Sequence, residues 1–180
     1  MSLEEMEKLR AGICLHIFES LNVKGDLQLN HVEYNSGSKY HTAYGEIGSP
    51  EDPISIIFSM PNDSDDVYMM VSDGDPSKLY GQLASIQQYN EEVGHVCIDH
   101  TVPTNNEYIR SVGWSAFIML YPSTTFDDFK YTNIILDRKL RFCQVVPITE
   151  EERQFTMSNG IDALLTKFAD ENRDVITFEK

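Results

Sequence analysis

Leu140-Arg141-Phe142-Cys143-Gln144-Val145-Val146-Pro147-Ile148-Thr149-Glu150-Glu151-Glu152 decides the fold of this 180-residue chain. Leu140 to Val146 is a β-prone run, and Pro147, which has no N–H, is expected to end its ladder. Thr149 and Glu152 then form a capping box, the sequence sign of a helix start. Three acids fill the first turn, where the helix dipole favours negative charge, so Glu150, Glu151 and Glu152 already have a structural role and are poor candidates for acid/base chemistry. Ile161, Leu164, Leu165 and Phe168 line one side of the helical segment that follows. A strand that passes directly into a helix needs a sheet to belong to, and the rest of the chain supplies one.

Working outward, Tyr131–Leu136 is a second strand joined to Leu140–Val146 through Asp137-Arg138-Lys139. Trp114 to Tyr121 is apolar on both faces and predicts an interior strand. His95 to His100 is β-like, and a polar loop runs from it through Asn105-Asn106. Asp75 before Pro76 is an N-cap with proline at the first helical position, and Leu79, Leu83 and Ile86 predict a central helix to about Asn90. Ile54–Met60 and Val67–Ser72 flank Pro61-Asn62-Asp63-Ser64-Asp65-Asp66, whose residue types suit a tip between strands. Leu27–Tyr34 and Tyr40–Ile47 predict a hairpin closed by Asn35-Ser36-Gly37-Ser38. Ser2 and Glu5 make a first capping box, and Leu3, Met6, Leu9, Ile13, Ile17 and Leu21 recur at helical steps as far as Asn22 and Gly25. A β-prone tail, Val175 to Phe178, closes the chain. The expectation is an α+β fold: a mostly antiparallel mixed sheet of about seven strands, with N-terminal, central and C-terminal helices packed on it, because regular βαβ alternation is absent.

Composition sets the bounds. With 41% hydrophobic and 24% charged residues, the chain predicts one globular domain over residues 1–180, which buries roughly 70% of its unfolded surface without staples. No linker, repeat or low-complexity tract marks a boundary. Cys14, Cys97 and Cys143 are odd in number and unpaired in spacing, which argues against a disulfide scaffold or zinc ribbon and for a cytoplasmic location. The first residues are acidic where a signal peptide is basic, and no apolar run is long enough to span a membrane. The net charge of −15 repels nucleic acid and anionic membranes and favours basic proteins. The excess is concentrated: residues 61–107 hold nine acids against Lys78 alone. A solvated face explains such a run, and so does a docking face for a basic partner.

Signatures for dinucleotide, nucleotide, acyl-transfer and zinc-protease chemistry are missing. His95-Val96-Cys97-Ile98-Asp99-His100 has the residue types of a metal or nucleophile site. Read as a strand, it sends His95, Cys97 and Asp99 one way and His100 the other, so neither a metal nor a catalytic residue is assigned there. Asp63, Asp65 and Asp66 have the look of a calcium loop, but position six falls on Tyr68, where an EF-hand needs glycine. Tyr40, Tyr44, Tyr68, Tyr80 and Tyr89, with Met60, Met69 and Met70, suit either half-buried core positions or an interface. No cofactor is assigned.

Arg141-Phe142-Cys143-Gln144-Val145-Val146-Pro147 running into Thr149-Glu150-Glu151-Glu152, then Asn159-Gly160-Ile161-Asp162-Ala163-Leu164-Leu165, resembles the suppressor-of-fused (SUFU-like) family. Leu83-Ala84, Asp99-His100-Thr101-Val102 and Phe117-Ile118-Met119-Leu120-Tyr121-Pro122 fall in the same order as in that family. The resemblance covers roughly residues 30–170 and departs at Ile98, where many members carry glycine. It implies a non-enzymatic protein-binding domain that grips a partner segment as an added strand. It places Asp99 and His100 near the peptide groove. Stand-alone bacterial members are associated with immunity proteins against polymorphic toxins, nucleases among them.

Three functions follow as expectations. The first is an immunity protein that neutralises a basic toxin through Asp63, Asp65, Asp66, Asp73, Asp75, Asp99 and His100. The second is a regulatory adaptor for peptide segments. The third is a small metal-dependent hydrolase built on His95–His100.

Overall fold

The computed structural model describes residues 2–176 and 178. Helix α1 (Leu3–Ser20) opens on the complete Ser2–Glu5 capping box and buries Leu9, Ile13 and Ile17. A meander of β1 (Lys24–Glu33), β2 (Lys39–Glu46), β3 (Ser55–Met60) and β4 (Asp66–Ser72) follows. Helix α2 (Pro76–Glu92) is capped by the Asp75 carboxylate, which accepts the Ser77 N–H at 2.9 Å. Then come β5 (Thr101–Pro103), α3 (Glu107–Ser111), β6 (Ala116–Leu120), β7 (Thr132–Ile135) and β8 (Arg138–Ile148). Helices α4 (Glu150–Asn159) and α5 (Ile161–Asp170) end the regular structure. The expected α+β fold is found.

All eight strands form one sheet in the order β1-β2-β3-β4-β8-β6-β5, with β7 also on β8. Every neighbouring pair is antiparallel except β4 and β8, where Asp66–Met69 lies parallel to Arg141–Gln144. That short ladder joins the two halves. At its first step the register partners Asp66 and Arg141 form a two-pronged ion pair, Nε to Oδ1 at 2.7 Å and Nη2 to Oδ2 at 2.9 Å. The Asp66 carboxylate is buried, and Asn90 of α2 donates to it at 3.3 Å.

Alternation along the strands separates two cores. Ile56, Phe58, Met60, Val67, Met69 and Phe142 face α1 on one side. Ile57, Tyr68, Met70, Cys143, Val145, Phe117 and Met119 face α2 on the other. Helix α5 covers the far part of the α1 side, where Leu164 and Phe168 pack on Ile118, Val146 and Ile148.

Four local expectations are corrected. Pro147 lies inside β8, opposite Phe117, and does not end it. Its carbonyl is taken by Arg173 Nη2 at 2.7 Å, on the side away from β6, so its missing N–H interrupts no bond to that neighbour. The β7–β8 turn is Leu136-Asp137, both at positive φ, with Ile135 opposite Arg138. Residues 95–100 form a strap and turn, not a strand, and the loop expected after them contains β5 and leads into α3. In the tail, Thr177 lies outside the described residues; Val175, Ile176 and Phe178 belong to no strand, and Phe178 is buried against Trp114, whose indole N–H donates to its carbonyl at 2.6 Å.

Removing Arg141 would leave a buried carboxylate unpaired. Arg141→Met is expected to cost about 3 kcal/mol in urea unfolding, and Asp66→Leu with Arg141→Met to recover most of it. At the start of α4, Arg153, Gln154 and Ser115 donate to Glu150 and hold its carboxyl down to about 2. Its stabilising contribution is present above the unfolded value near 4.5 and is lost as pH falls toward 2. Glu150→Gln is expected to lower the melting temperature at pH 7 and to leave it unchanged near pH 2.

Candidate functional site

The acidic tip is built into the fold from both sides. Glu91, near the end of α2, accepts the N–H of Asn62 at 2.9 Å and of Ser64 at 3.4 Å. Gln87 ties the same carboxylate to the core: its amide donates to Glu91 at 2.8 Å and to Ser64 Oγ at 2.9 Å, and its oxygen accepts from buried Ser59 at 2.7 Å. From the other side, Arg138 reaches Asp65 Oδ1 at 2.6 Å and the carbonyls of Asp63 and Ser64 at 3.1 and 2.7 Å. Asp66 is sequestered by Arg141. Of the three aspartates, Asp63 and Asp65 are exposed, and Asp65 carries its own counter-charge.

The strap that follows α2 leads from this tip to the sheet edge. Asn90 accepts the Val96 N–H at 2.8 Å, Tyr68 donates to the Val96 carbonyl at 2.7 Å, and His95 Nδ1 stands 4.0 Å from Asp66. The chain then turns. His100 N–H bonds back to the Cys97 carbonyl at 3.1 Å, with Asp99 at φ 71°, a conformation Asp tolerates better than most residues. Folding back in this way brings Cys97 Sγ to 3.5 Å from His100 Nε2, although a strand would have sent them to opposite faces. Asp99 and His100 are both exposed at the head of β5.

β5 is the last strand on its side of the sheet. The His100 carbonyl and the Thr104 N–H bond inward, to Met119 and Ser115 at 3.0 Å each. By alternation, Thr101 and Pro103 turn their backbone groups outward. Pro103 has no N–H, so the open edge presents one donor, from Thr101, and the carbonyls of both residues. Beside it run two clefts of about 500 and 330 Å³ that share Tyr89, Val102 and Pro103. Asp99 and His100 lie at one end of this groove; Gln82, Asn105 and Asn106 lie at the other. Tyr89 and Val93 leave apolar surface exposed along the α2 bank.

The seven predicted site residues therefore do not converge. Asp63, Asp65 and Asp66 lie at the tip where β4 begins, and Asp99 and His100 lie at the head of β5, three strands away across β8 and β6. Asp73 and Asp75 follow the other end of β4, about 20 Å away along a seven-residue strand. Asp75 is spent on capping α2, and Asp73 accepts the Phe178 N–H at 2.6 Å. Sequence reading gave Thr101, Val102 and Pro103 no binding role and left Tyr89 open between core and interface. One signal was available: a proline just after two β-prone residues marks an edge strand.

Among the described residues no hydrogen bond links the His100 ring to a carboxylate, so the Cys97–His100 contact lacks the group that would orient a catalytic base. No group of three or more His, Cys, Asp or Glu among them is placed to hold a metal ion. No helix among them is long and apolar enough to cross a membrane.

Comparison with known proteins agrees with the topology. The profile of the family described as Suppressor of fused protein (SUFU) matches residues 52–178. A SUFU homolog from Neisseria gonorrhoeae FA 1090 superposes with a TM-score of 0.73 at 15% identity, over 97% of this chain and 96% of that one. The Sufu chain of a Sufu–Fu complex gives 0.69 at 10% identity, over 94% and 89%. Drosophila Suppressor of Fused gives 0.51 at 8% identity, over 84% of this chain and 40% of that one. A search of curated proteins gave no match. With most of its length matched by the family profile, this chain belongs to the suppressor of fused (SUFU) family.

Proposed function

We propose that this chain is a non-enzymatic protein-binding domain that takes an extended segment of a partner as an added strand on the open edge of β5. The observation that carries the reading is that edge itself: outward Thr101 and Pro103 backbone groups beside a groove floored by Val102 and banked by Tyr89. Main-chain bonds supply affinity in this mode, and the groove selects side chains. A family member solved in the Sufu–Fu complex supports binding to protein.

The partner fits a basic protein, and the setting we propose is a cytoplasmic immunity protein that neutralises a basic toxin by tight binding. The net charge of −15 supports this, since such a field speeds encounter with a positive surface. Asp99 is an exposed acid at the head of the edge and Asp63 an exposed acid on the tip; Asp66 is internal and acts only through the fold. A regulatory adaptor would use the same edge, because backbone pairing tolerates many sequences. Retention of several unrelated proteins would favour it over the immunity reading.

Affinity capture from a lysate of the source organism at low and high salt, with mass spectrometry, tests the proposal. One basic protein held stoichiometrically is expected. Thr101→Pro deletes the one outward N–H and spares the inward bonds, so it should weaken that complex by roughly tenfold, the worth of one good hydrogen bond. An unchanged complex with Thr101→Pro would remove β5 from the interface. Asp63→Lys and Asp99→Asn should each slow association at low salt and flatten its salt dependence, whereas Glu51→Gln in the β2–β3 connection, at the opposite end of those strands from the acidic tip, should do neither.

A further inference from the structure

The α1 side of the sheet carries a row of soft donor groups that the β5 edge does not use. His31 faces His41 across the β1–β2 ladder, and His41 faces Met60 across β2–β3. The two imidazole rings lie 5.9 Å apart. From α1 above, Cys14 brings Sγ to 3.7 Å from Met60 Sδ. Cys14, His41 and Met60 line one cleft of about 530 Å³ between α1 and the first three strands, with Leu27 and Leu29 as its apolar wall. His41 Nδ1 is buried there without a hydrogen-bond partner. Such an orphan nitrogen is costly and points to something that completes it.

We propose that Cys14, Met60 and His41 form a binding site for one soft monovalent metal ion, Cu(I). Thiolate and thioether together select this ion over the harder divalent ones. Two metal–sulfur bonds of about 2.3 Å would bridge the observed sulfur separation at an open angle, and His41 Nδ1 supplies a third donor. As the bond to Cys14 Sγ forms, the thiol proton passes to solvent. The ion enters as Cu(I), so no electron is exchanged. Arg10 lines the same cleft, its Nη2 held by Asn62 Oδ1 at 2.6 Å, while burial pushes the Cys14 thiol up to about 11, so the metal itself must displace the proton. With one anionic ligand and a thioether, the set suits neither zinc nor calcium.

Anaerobic titration of the full chain with Cu(I) against a coloured chelator, and with Ag(I) as a redox-inert substitute, tests the site. One ion per chain is expected. Cys14→Ser should abolish binding, Met60→Leu and His41→Asn should each weaken it by roughly tenfold or more, and Cys97→Ser should leave it unchanged. In the unmodified protein, one equivalent of Ag(I) should protect Cys14 from alkylation, a readout that does not depend on any variant folding. The site is refuted by absence of stoichiometric binding, by binding that survives Cys14→Ser and disappears with Cys97→Ser, or by affinity indifferent to both Met60→Leu and His41→Asn.

Discussion

Two antiparallel half-sheets meet along a single parallel ladder, Asp66–Met69 against Arg141–Gln144, and the rest of the molecule depends on that joint. A parallel pair cannot be closed by a tight turn, so the chain between β4 and β8 must cross over. It does so through α2, the strap, β5 and β6, and these are the elements that make the candidate site. The Asp66–Arg141 pair pins the first register step. A slip of one residue would exchange Tyr68 and Met69 between the two cores and part the buried carboxylate from its guanidinium. An ion pair at such a position contributes less to raw stability than to the choice of one register.

The same joint explains how the acidic tip is held. Its neighbours are the end of α2 and the β7–β8 hairpin, which the crossover brings to either side. Much of the negative charge that looks free in the sequence is therefore matched by Arg138 and Arg141, or spent on backbone N–H groups. The remaining field is broad rather than focused. It suits steering of the proposed basic partner, for which the short edge of β5 would supply the contacts. That edge is three residues long and carries Pro103, and the opposite edge, β1, carries Lys24, Asp26 and Glu33. Short, proline-bearing and charged edges resist indiscriminate strand pairing, so the sheet can keep an edge open without polymerising.

Elements whose signal is local were legible in the sequence. Both capping boxes, the Asp75-Pro76 start of α2 and the apolar spacing of α1 depend on residues within a few positions of one another. The motif order that points to the SUFU family was legible too, since it is a property of the chain itself. Pro147 and residues 95–100 were misjudged because their state is set by distant partners. A proline is harmless in a strand when its open side belongs to Arg173. A β-prone hexapeptide becomes a strap when Asn90 and Tyr68 hold its backbone and Asp99 accepts a positive φ.

The sequence by itself determined the α+β class, the helix starts, the acidic balance and the family, because propensity, capping and charge are carried by near neighbours. Only the tertiary structure decided which groups meet. It buried Asp66, paired Asp65, sent Asp73 and Asp75 to the far end of β4, and turned Thr101 and Pro103 outward beside Tyr89. It also drew Cys14, His41 and Met60 to one cleft from three separate elements. The reason is that strand register and helix docking fix contacts between residues tens of positions apart, and no local pattern encodes which partner a side chain will find.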